Sequence, residues 1–389
     1  MHYVLLLVLA CLAYGILEYR LHARSLRAVP IRVHVNGTRG KSSVTRLIAA
    51  GLRAGGLRVA AKTTGSAARY IDPEGAEEPV VRPGPPNIRE QLSVFARARR
   101  DRAQALVIEC MALRPDLQRV SEHMIVKSTV GVITNVRPDH LDVMGPTVDD
   151  VADALAGTVP AGATLYTSEH RRSRRLAEAA QERGCGFQEV DSAGLDPSAV
   201  EGFKYVEHLD NVALALAVCE HFGVSRGRAL EGMRAAEPDP GALTIHRVRE
   251  GEKEIEFVNA FAANDRESTH AVWKALAPRT DPSRDVIVVA SMRADRPDRA
   301  FQFGAILAED LDADHYILAG GLTQPVMSGA TRLGLARDRI DDMAGCSAQS
   351  IYERIVELTG GRSIVIGVGN IGGTGGELVR LFQSKSEAT

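Results

Sequence analysis

The chain has 389 residues, enough for a sizeable core and for two domains of the usual ~100–200 residues each. Its 45% hydrophobic and 25% charged content is that of a folded globular protein, and a net charge of −2 lacks the basic excess that nucleic-acid binding wants. The five cysteines (Cys11, Cys110, Cys185, Cys219, Cys346) have no C-x-x-C spacing, which speaks against a zinc site or a disulfide framework and suits a reducing compartment.

The first element is the apolar stretch "YVLLLVLACLAYGILEY", residues 3–19, uncharged until Glu18. It approaches the roughly 20 residues that a membrane-spanning helix needs. Arg20, His22, Arg24, Arg27 and Arg32 follow, so the positive-inside rule puts residue 20 onward in the cytoplasm. Residues 1–22 are therefore expected to be a single-pass anchor in the cell membrane. A cleaved signal peptide would want a basic region before the apolar run, where only His2 stands. A buried helix of the soluble fold is the remaining alternative.

"PIRVHVNG" reads as a β-branched strand running into a glycine loop, and "SSVTRLIAAGLRAGG" as an amphipathic helix stopped by Gly55-Gly56. "RVAAKTTG" is a second strand, residues 71–87 a loop, "NIREQLSVFARARRDR" a helix, and "ALVIEC" and "STVGVITNV" further strands. "TVDDVADALAGTV", "RRSRRLAEAAQERG" and "LDNVALALAVCEHFGV" read as helices. Past the turn-rich "AEPDPGAL", the strands "KEIEFVNAFA", "DVIVVASM", "ADHYILAG" and "SIVIGVG" alternate with helices. The expectation is an α/β protein: an ATPase domain with a phosphate-binding loop and a mostly parallel sheet over 31–240, then a smaller Rossmann-like α/β domain over 241–389.

Three stretches carry chemistry. In "HVNGTRGKSS" the strict phosphate-loop pattern would have Gly at position 35, where Val35 stands. Gly37 and Gly40 still allow close approach of backbone to a phosphate, Lys41 suits the β/γ-phosphates, and the Ser42 hydroxyl suits Mg²⁺. The candidate nucleotide loop is Asn36, Gly37, Thr38, Arg39, Gly40, Lys41, Ser42 and Ser43; the bland alternative is a glycine turn that happens to precede Lys-Ser. Glu109 ends a buried strand, at the edge where ligands of open α/β sheets bind, and a carboxylate there can hold Mg²⁺. Equally it could be a strand-end Glu in solvent. "TNVRPDHLDVMG" crowds Asp139, His140 and Asp142 into a turn after another apolar strand, which suggests metal or phosphate work or else a capping turn. The segment "GVGNIGGTGG" contains G-x-G-x-x-G, but the further strand and acid of a dinucleotide site do not follow it. Arg293, Arg296 and Arg299 follow a strand end, where guanidinium groups could grip carboxylates.

In order and spacing, "NGTRGKSS", Glu109 and "TNVRPDHLD" resemble the ATP-dependent Mur ligases and folylpolyglutamate synthetases, a family that uses a shortened G-T-x-G-K-[ST] loop. The resemblance implies ATP and Mg²⁺, with Ser42, Glu109 and His140 as metal ligands and Lys41, Glu109 and His140 as the catalytic set. "DNVALALAV" is similar to the family's adenine-contacting helix start, pointing to Asn211. "FVNAFAANDRES" is similar to the segment opening its C-terminal domain and gives Asn259 as a nucleotide contact. Thr64, Asn264, Arg293 and Arg296 are candidate substrate contacts. No Lys lies between Asp142 and Phe203, so the carbamylated lysine of many Mur ligases is not expected.

About 30 residues precede the loop, which points away from the branches with an N-terminal uridine-nucleotide domain. The apolar segment together with "VNAFAANDRES…ASMRADRPDRAFQF" resembles the ligase subunits of poly-γ-glutamate synthetases. That resemblance implies an acid–amino-acid ligase that polymerises glutamate through γ-linkages by way of an acyl phosphate. Its expected partners are glutamate, the growing polymer and small membrane subunits of an export complex, with homo-oligomer formation left open. A folylpolyglutamate-synthetase-like glutamate ligase and a membrane-anchored phosphotransfer protein are the rival readings.

Overall fold

The computed structural model describes residues 2–64, 68–82, 84–203, 205, 207–239, 242–263, 266–292 and 297–386. The chain divides into two compact units, Met1–Asp239 and Pro240–Thr389.

The first unit is built on an eight-stranded sheet of β1 (Ile31–Asn36), β2 (Val59–Lys62), β3 (Arg69–Ile71), β4 (Glu77–Pro79), β5 (Ala105–Glu109), β6 (Val130–Ile133), β7 (Thr164–Thr167) and β8 (Gly186–Glu189). Their order is β4-β3-β2-β5-β1-β6-β7-β8. All neighbours run parallel except β2 with β3 and β3 with β4. The central strands β2, β5 and β6 are buried end to end, as expected of β-branched and apolar runs covered by helices on both faces. The segment 71–87, expected to be loop, instead supplies the last residue of β3 and all of β4; β3 runs antiparallel to β2, and β4 antiparallel to β3. Strands of three residues, Arg-Tyr-Ile and Glu-Glu-Pro, are too short to carry a period-2 apolar signal.

Helix α1 (His2–Ala28) precedes β1. Helix α2 (Lys41–Ala54) packs Val44, Leu47, Ile48 and Leu52 against one face of the sheet, with Val212, Leu216 and Met233 closing the layer. Helix α3 (Glu90–Arg100) covers the other face with Val94, Phe95 and Ala98 against Leu106 and Ile108.

Helix α1 is long and apolar enough to cross a membrane, and Leu5, Leu9, Leu12 and Ile16 stand open to solvent. It continues beyond residue 22 because its last turns join the globular body. His22 Nε2 hydrogen-bonds the Ile125 carbonyl (2.8 Å), its ring packs edge-on against Phe95, Ser25 is buried, and Glu18 pairs with Arg89 (2.5 Å).

The second unit has a six-stranded sheet of β9 (Thr244–Glu250), β10 (Lys253–Ala260), β11 (Asp285–Met292), β12 (His315–Gly320), β13 (Ile340–Ala344) and β14 (Arg362–Gly369). The order is β13-β12-β11-β14-β10-β9, parallel except for the β9–β10 hairpin. Its buried runs "VIVVAS" and "IVIGV" form the centre, with Phe303, Leu307 and Val326 on one face and Ile351, Ile355 and Phe382 on the other.

Candidate functional site

Strand β1 lies between β5 and β6, so the carboxyl ends of all three open onto one edge of the first sheet. Such an edge, where the chain order reverses, is where ligands of open α/β sheets bind. From Asn36 the chain turns through Gly37 (φ +131°) and Gly40 (φ +79°) before α2 begins at Lys41. Both positions demand glycine. A Cβ on Gly37 would stand 2.1 Å from Thr134 Oγ1, and one on Gly40 would stand 2.7 Å from Asn211 Oδ1.

The segment after β6 clasps this loop. The Thr38 amide donates to the Asn135 carbonyl (3.1 Å), the Thr38 hydroxyl to Asn135 Oδ1 (2.7 Å), and the Arg39 amide to the same Oδ1 (3.1 Å). In return Thr134 Oγ1 (2.6 Å) and Asn135 Nδ2 (3.1 Å) donate to the Arg39 carbonyl. Lys41 curls back, its Nζ donating to the carbonyls of Gly37 (2.7 Å) and Thr38 (3.3 Å). No side chain caps α2 at Gly40, so its first amides and the positive end of its dipole are left for an anion.

Glu109 is the last residue of β5, in register with Val35 of β1, and is buried. Its Oε2 accepts from Ser42 Oγ (2.8 Å) and from the Thr64 amide (2.6 Å). One carboxylate thus ties together the start of α2 and the end of β2, and the Ser42 hydroxyl and Glu109 form a hard oxygen pair beside the loop.

The remaining candidates are spread more widely. The Asn36 side chain turns inward, donating to Gln118 Oε1 (2.8 Å) and Thr158 Oγ1 (3.1 Å), so it supports the loop from beneath. Ser43 is half-buried on the first turn of α2 and Arg39 is exposed. Asn211 abuts Gly40, held by a hydrogen bond to Glu207 Oε1 (2.8 Å). His140 follows β6 at the same sheet edge, in a left-handed conformation (φ +47°), with Nε2 3.8 Å from Asp139 Oδ1. No hydrogen bond among the described residues joins it to Ser42 or Glu109, and no group of three or more His, Cys, Asp or Glu side chains gathers for a metal among them. Asp142 is exposed. Asn259 belongs to the second unit, where its Nδ2 donates to the Ala242 carbonyl (3.2 Å). Asn264, Arg293 and Arg296 lie outside the described residues.

Two groups escape the sequence reading. Thr134 and Asn135, which fasten the loop, come from a stretch noted only for its acids and histidine. Behind Glu109, Lys62 at the end of β2 is fully buried, with Nζ 2.8 Å from Glu90 Oε1, and Arg82 grips the same carboxylate through Nε (2.5 Å) and Nη2 (3.1 Å). Burial pulls the Lys62 ammonium below its usual range, against the opposing pull of Glu90. Burial also works against ionised Glu90, but the bonds from Arg82 and Lys62 outweigh it and hold that carboxyl below the ordinary carboxylate range. A lysine closing an apolar strand was the available signal, since such a charge is almost never fully buried unless paired.

Comparison with known proteins gives the lineage. Residues 35–194 match the Mur ligase middle domain, and residues 245–385 match the poly-gamma-glutamate synthase CapB C-terminal domain. The chain is 36% identical to PGA synthase CapB of Bacillus subtilis, over 96% of both chains. It is 37% identical to the capsule biosynthesis protein CapB of Bacillus anthracis, over 96% of this chain and 80% of that one. Among solved structures, the bifunctional folylpolyglutamate synthase/dihydrofolate synthase of Yersinia pestis, complexed with AMPPNP and Mn ion, shares the fold with a TM-score of 0.68. That match is 19% identical in sequence and covers 94% of this chain and 92% of the other. The chain therefore belongs to the CapB family of poly-γ-glutamate synthases.

Proposed function

We propose that the protein is an ATP-dependent carboxylate–amine ligase that joins glutamate residues through γ-amide bonds. The observation that carries this reading is the Ser42–Glu109 contact of 2.8 Å beside an uncapped helix start and a glycine loop, in a chain related end to end to a PGA synthase.

The residues fit a magnesium nucleotide. Two oxygen donors of the kind Mg²⁺ prefers, Ser42 Oγ and the Glu109 carboxylate, already converge, and the loop has no room for a Cβ at Gly37 or Gly40. Ser42 and Glu109 would hold the ion, with His140 available at the same edge. The bound ion would supply neutralisation of charge on the transferring phosphoryl group.

The chemistry follows from the acceptor. A carboxylate is a poor acyl donor, so its oxygen attacks the γ-phosphorus of ATP, ADP leaves, and an acyl phosphate forms. The amine of an incoming glutamate then attacks the acyl carbon; phosphate leaves, the amine proton is lost and an amide remains. Lys41 and the first amides of α2 stabilise the phosphoryl charge. Asn211 supports the loop at Gly40, and Asn259, Thr64, Asn264, Arg293 and Arg296 remain candidates for nucleotide or glutamate contacts.

Helix α1 anchors the protein in the cell membrane with residues 20 onward in the cytoplasm, and small membrane subunits carry the product outward. The 31–240 and 241–389 segments act as the ATP-binding and C-terminal ligase domains, the latter Rossmann-like.

The test is incubation of the membrane-bound protein with ATP, Mg²⁺ and glutamate, with ADP and amide products followed by mass spectrometry and the acyl phosphate trapped by hydroxylamine. The expected result is ADP release matched one to one by new amide bonds, and a hydroxamate. Phosphoprotein without amide, or glutamylation of a folate in place of glutamate, would refute it.

A further inference from the structure

At the base of α1 lies a groove of about 860 Å³ whose walls are cationic. One wall is a helical stripe, Arg20, Arg24 and Arg27, spaced i, i+4, i+7 and exposed. The other is formed by Arg32, at the start of β1, and Lys127, in a left-handed turn (φ +48°). Arg32 is fixed by carbonyls alone, donating to those of Lys127 (2.8 Å), Val29 (3.1 Å) and Pro30 (3.0 Å). Among the described residues, no carboxylate is paired with Arg20, Arg24, Arg27 or Lys127, and no acid lines the groove. The nearby acid of the helix, Glu18, is turned to another face and held by Arg89.

Five cations line one groove with no acid among its lining residues, and they repel one another unless an anion joins them. Position identifies the anion. The groove begins within a turn of the uncharged segment that ends at Leu17, and Tyr19 lines its upper rim, as aromatic side chains do at a membrane–water interface. From Arg20 to Arg27 the helix advances only ~10 Å, about one Debye length at physiological salt.

We propose that this groove binds the phosphate headgroup of an anionic phospholipid in the leaflet that α1 enters. The inference rests on the membrane-anchor reading of α1. A polycarboxylate such as the nascent polymer shares the charge, but the groove lies at the amino end of β1, the opposite edge of the sheet from the Gly37–Ser42 loop.

The test uses the full chain. Wild type and an Arg20→Gln/Arg24→Gln/Lys127→Gln variant are reconstituted into phosphatidylcholine vesicles with and without phosphatidylglycerol, and lipids retained after extraction are counted by native mass spectrometry. Each Lys or Arg near an anionic surface is worth roughly a fivefold gain, so the triple variant loses phosphatidylglycerol preference about 100-fold. Its ATP hydrolysis and melting in detergent stay at wild-type values, because these exposed side chains hold nothing else. Equal retention of the two lipids by wild type, unchanged retention by the variant, displacement of lipid by inorganic phosphate alone, or preferential retention of a glutamate oligomer at these arginines each overturns the proposal. Alkaline carbonate extraction separates the two readings. Protein released from the membrane removes the anchor itself, whereas protein that stays embedded without lipid preference removes only the headgroup site.

Discussion

Replacing Gly37 by Ala attacks the loop through backbone and packing at once. At φ +131° an L residue is outside its allowed regions, a strain of about 1–3 kcal/mol. The new Cβ would also sit 2.1 Å from Thr134 Oγ1 and 2.9 Å from the Thr134 amide nitrogen. Thr134 must move, and its hydrogen bond to the Arg39 carbonyl (2.6 Å) is lost at a cost of roughly 0.5–1.5 kcal/mol. The total, about 2–4 kcal/mol, divides between lower stability in urea and weaker binding of a fluorescent ATP analogue. If it fell wholly on binding, it would amount to roughly 30- to 700-fold, since 1.4 kcal/mol is tenfold. Thr134→Ala in the same chain relieves the hydroxyl contact and leaves the amide contact, so the double variant recovers only part of the loss. Gly40→Ala is milder, because φ +79° lies closer to the left-handed region and the obstructing atom is a side-chain oxygen of Asn211. A Gly37→Ala protein that unfolds and binds nucleotide like wild type would refute the reasoning.

Glu109→Gln keeps the shape and removes the charge that Ser42 and the Thr64 amide address; metal-dependent ATP turnover should fall by about 10²–10³ with the melting curve little changed, measured as kcat in coupled ADP release. Lys62→Met leaves Glu90 with Arg82 alone in a buried setting; removing one partner of such a pair costs about 3–5 kcal/mol, and the lower end is expected here in urea unfolding. His34, buried on β1, bonds Glu122 Oε2 at 2.7 Å. Burial disfavours its charged ring, but the neighbouring Cys110 thiol and Glu122 carboxylate outweigh that and push its pKa up to about 10. A raised pKa stabilises the fold fully below the unfolded value near 6.5, and that contribution is lost as pH rises through about 10. Unfolding free energies at pH 6 and pH 10.5 should therefore differ more in wild type than in His34→Asn.

The central strands were legible because β5, β6, β11 and β14 are built on unbroken apolar runs, which only a parallel sheet covered on both faces can bury. Strands β9 and β13 were not, since "TIHRVRE" and "IDDMA" mix charge into edge positions where one side meets water. At the candidate site, Ser42 and Glu109 lie 67 positions apart, yet each announces itself by ending or opening a regular element. The fastening of the loop by Thr134 and Asn135 is a tertiary property: neither residue has a local pattern, and each acts through carbonyls and amides 95–97 positions away. Likewise Lys62 and Glu90 find each other only because β2 and α3 are brought side by side.

Helix α1 runs without interruption into the globular body, where His22, Ser25 and Glu18 are all engaged, and only Val29 and Pro30 separate Ala28 from β1. A stem so clamped behaves as a bracket and not a leash. In a bilayer it would set the height and tilt of the first unit, with the loop edge held at the far end of β1, about 20 Å from the strand's start for six residues. Lengthening the stem by one or two residues would rotate the whole loop edge by about 100° per residue about the helix axis, an alteration that no flexible tether would transmit.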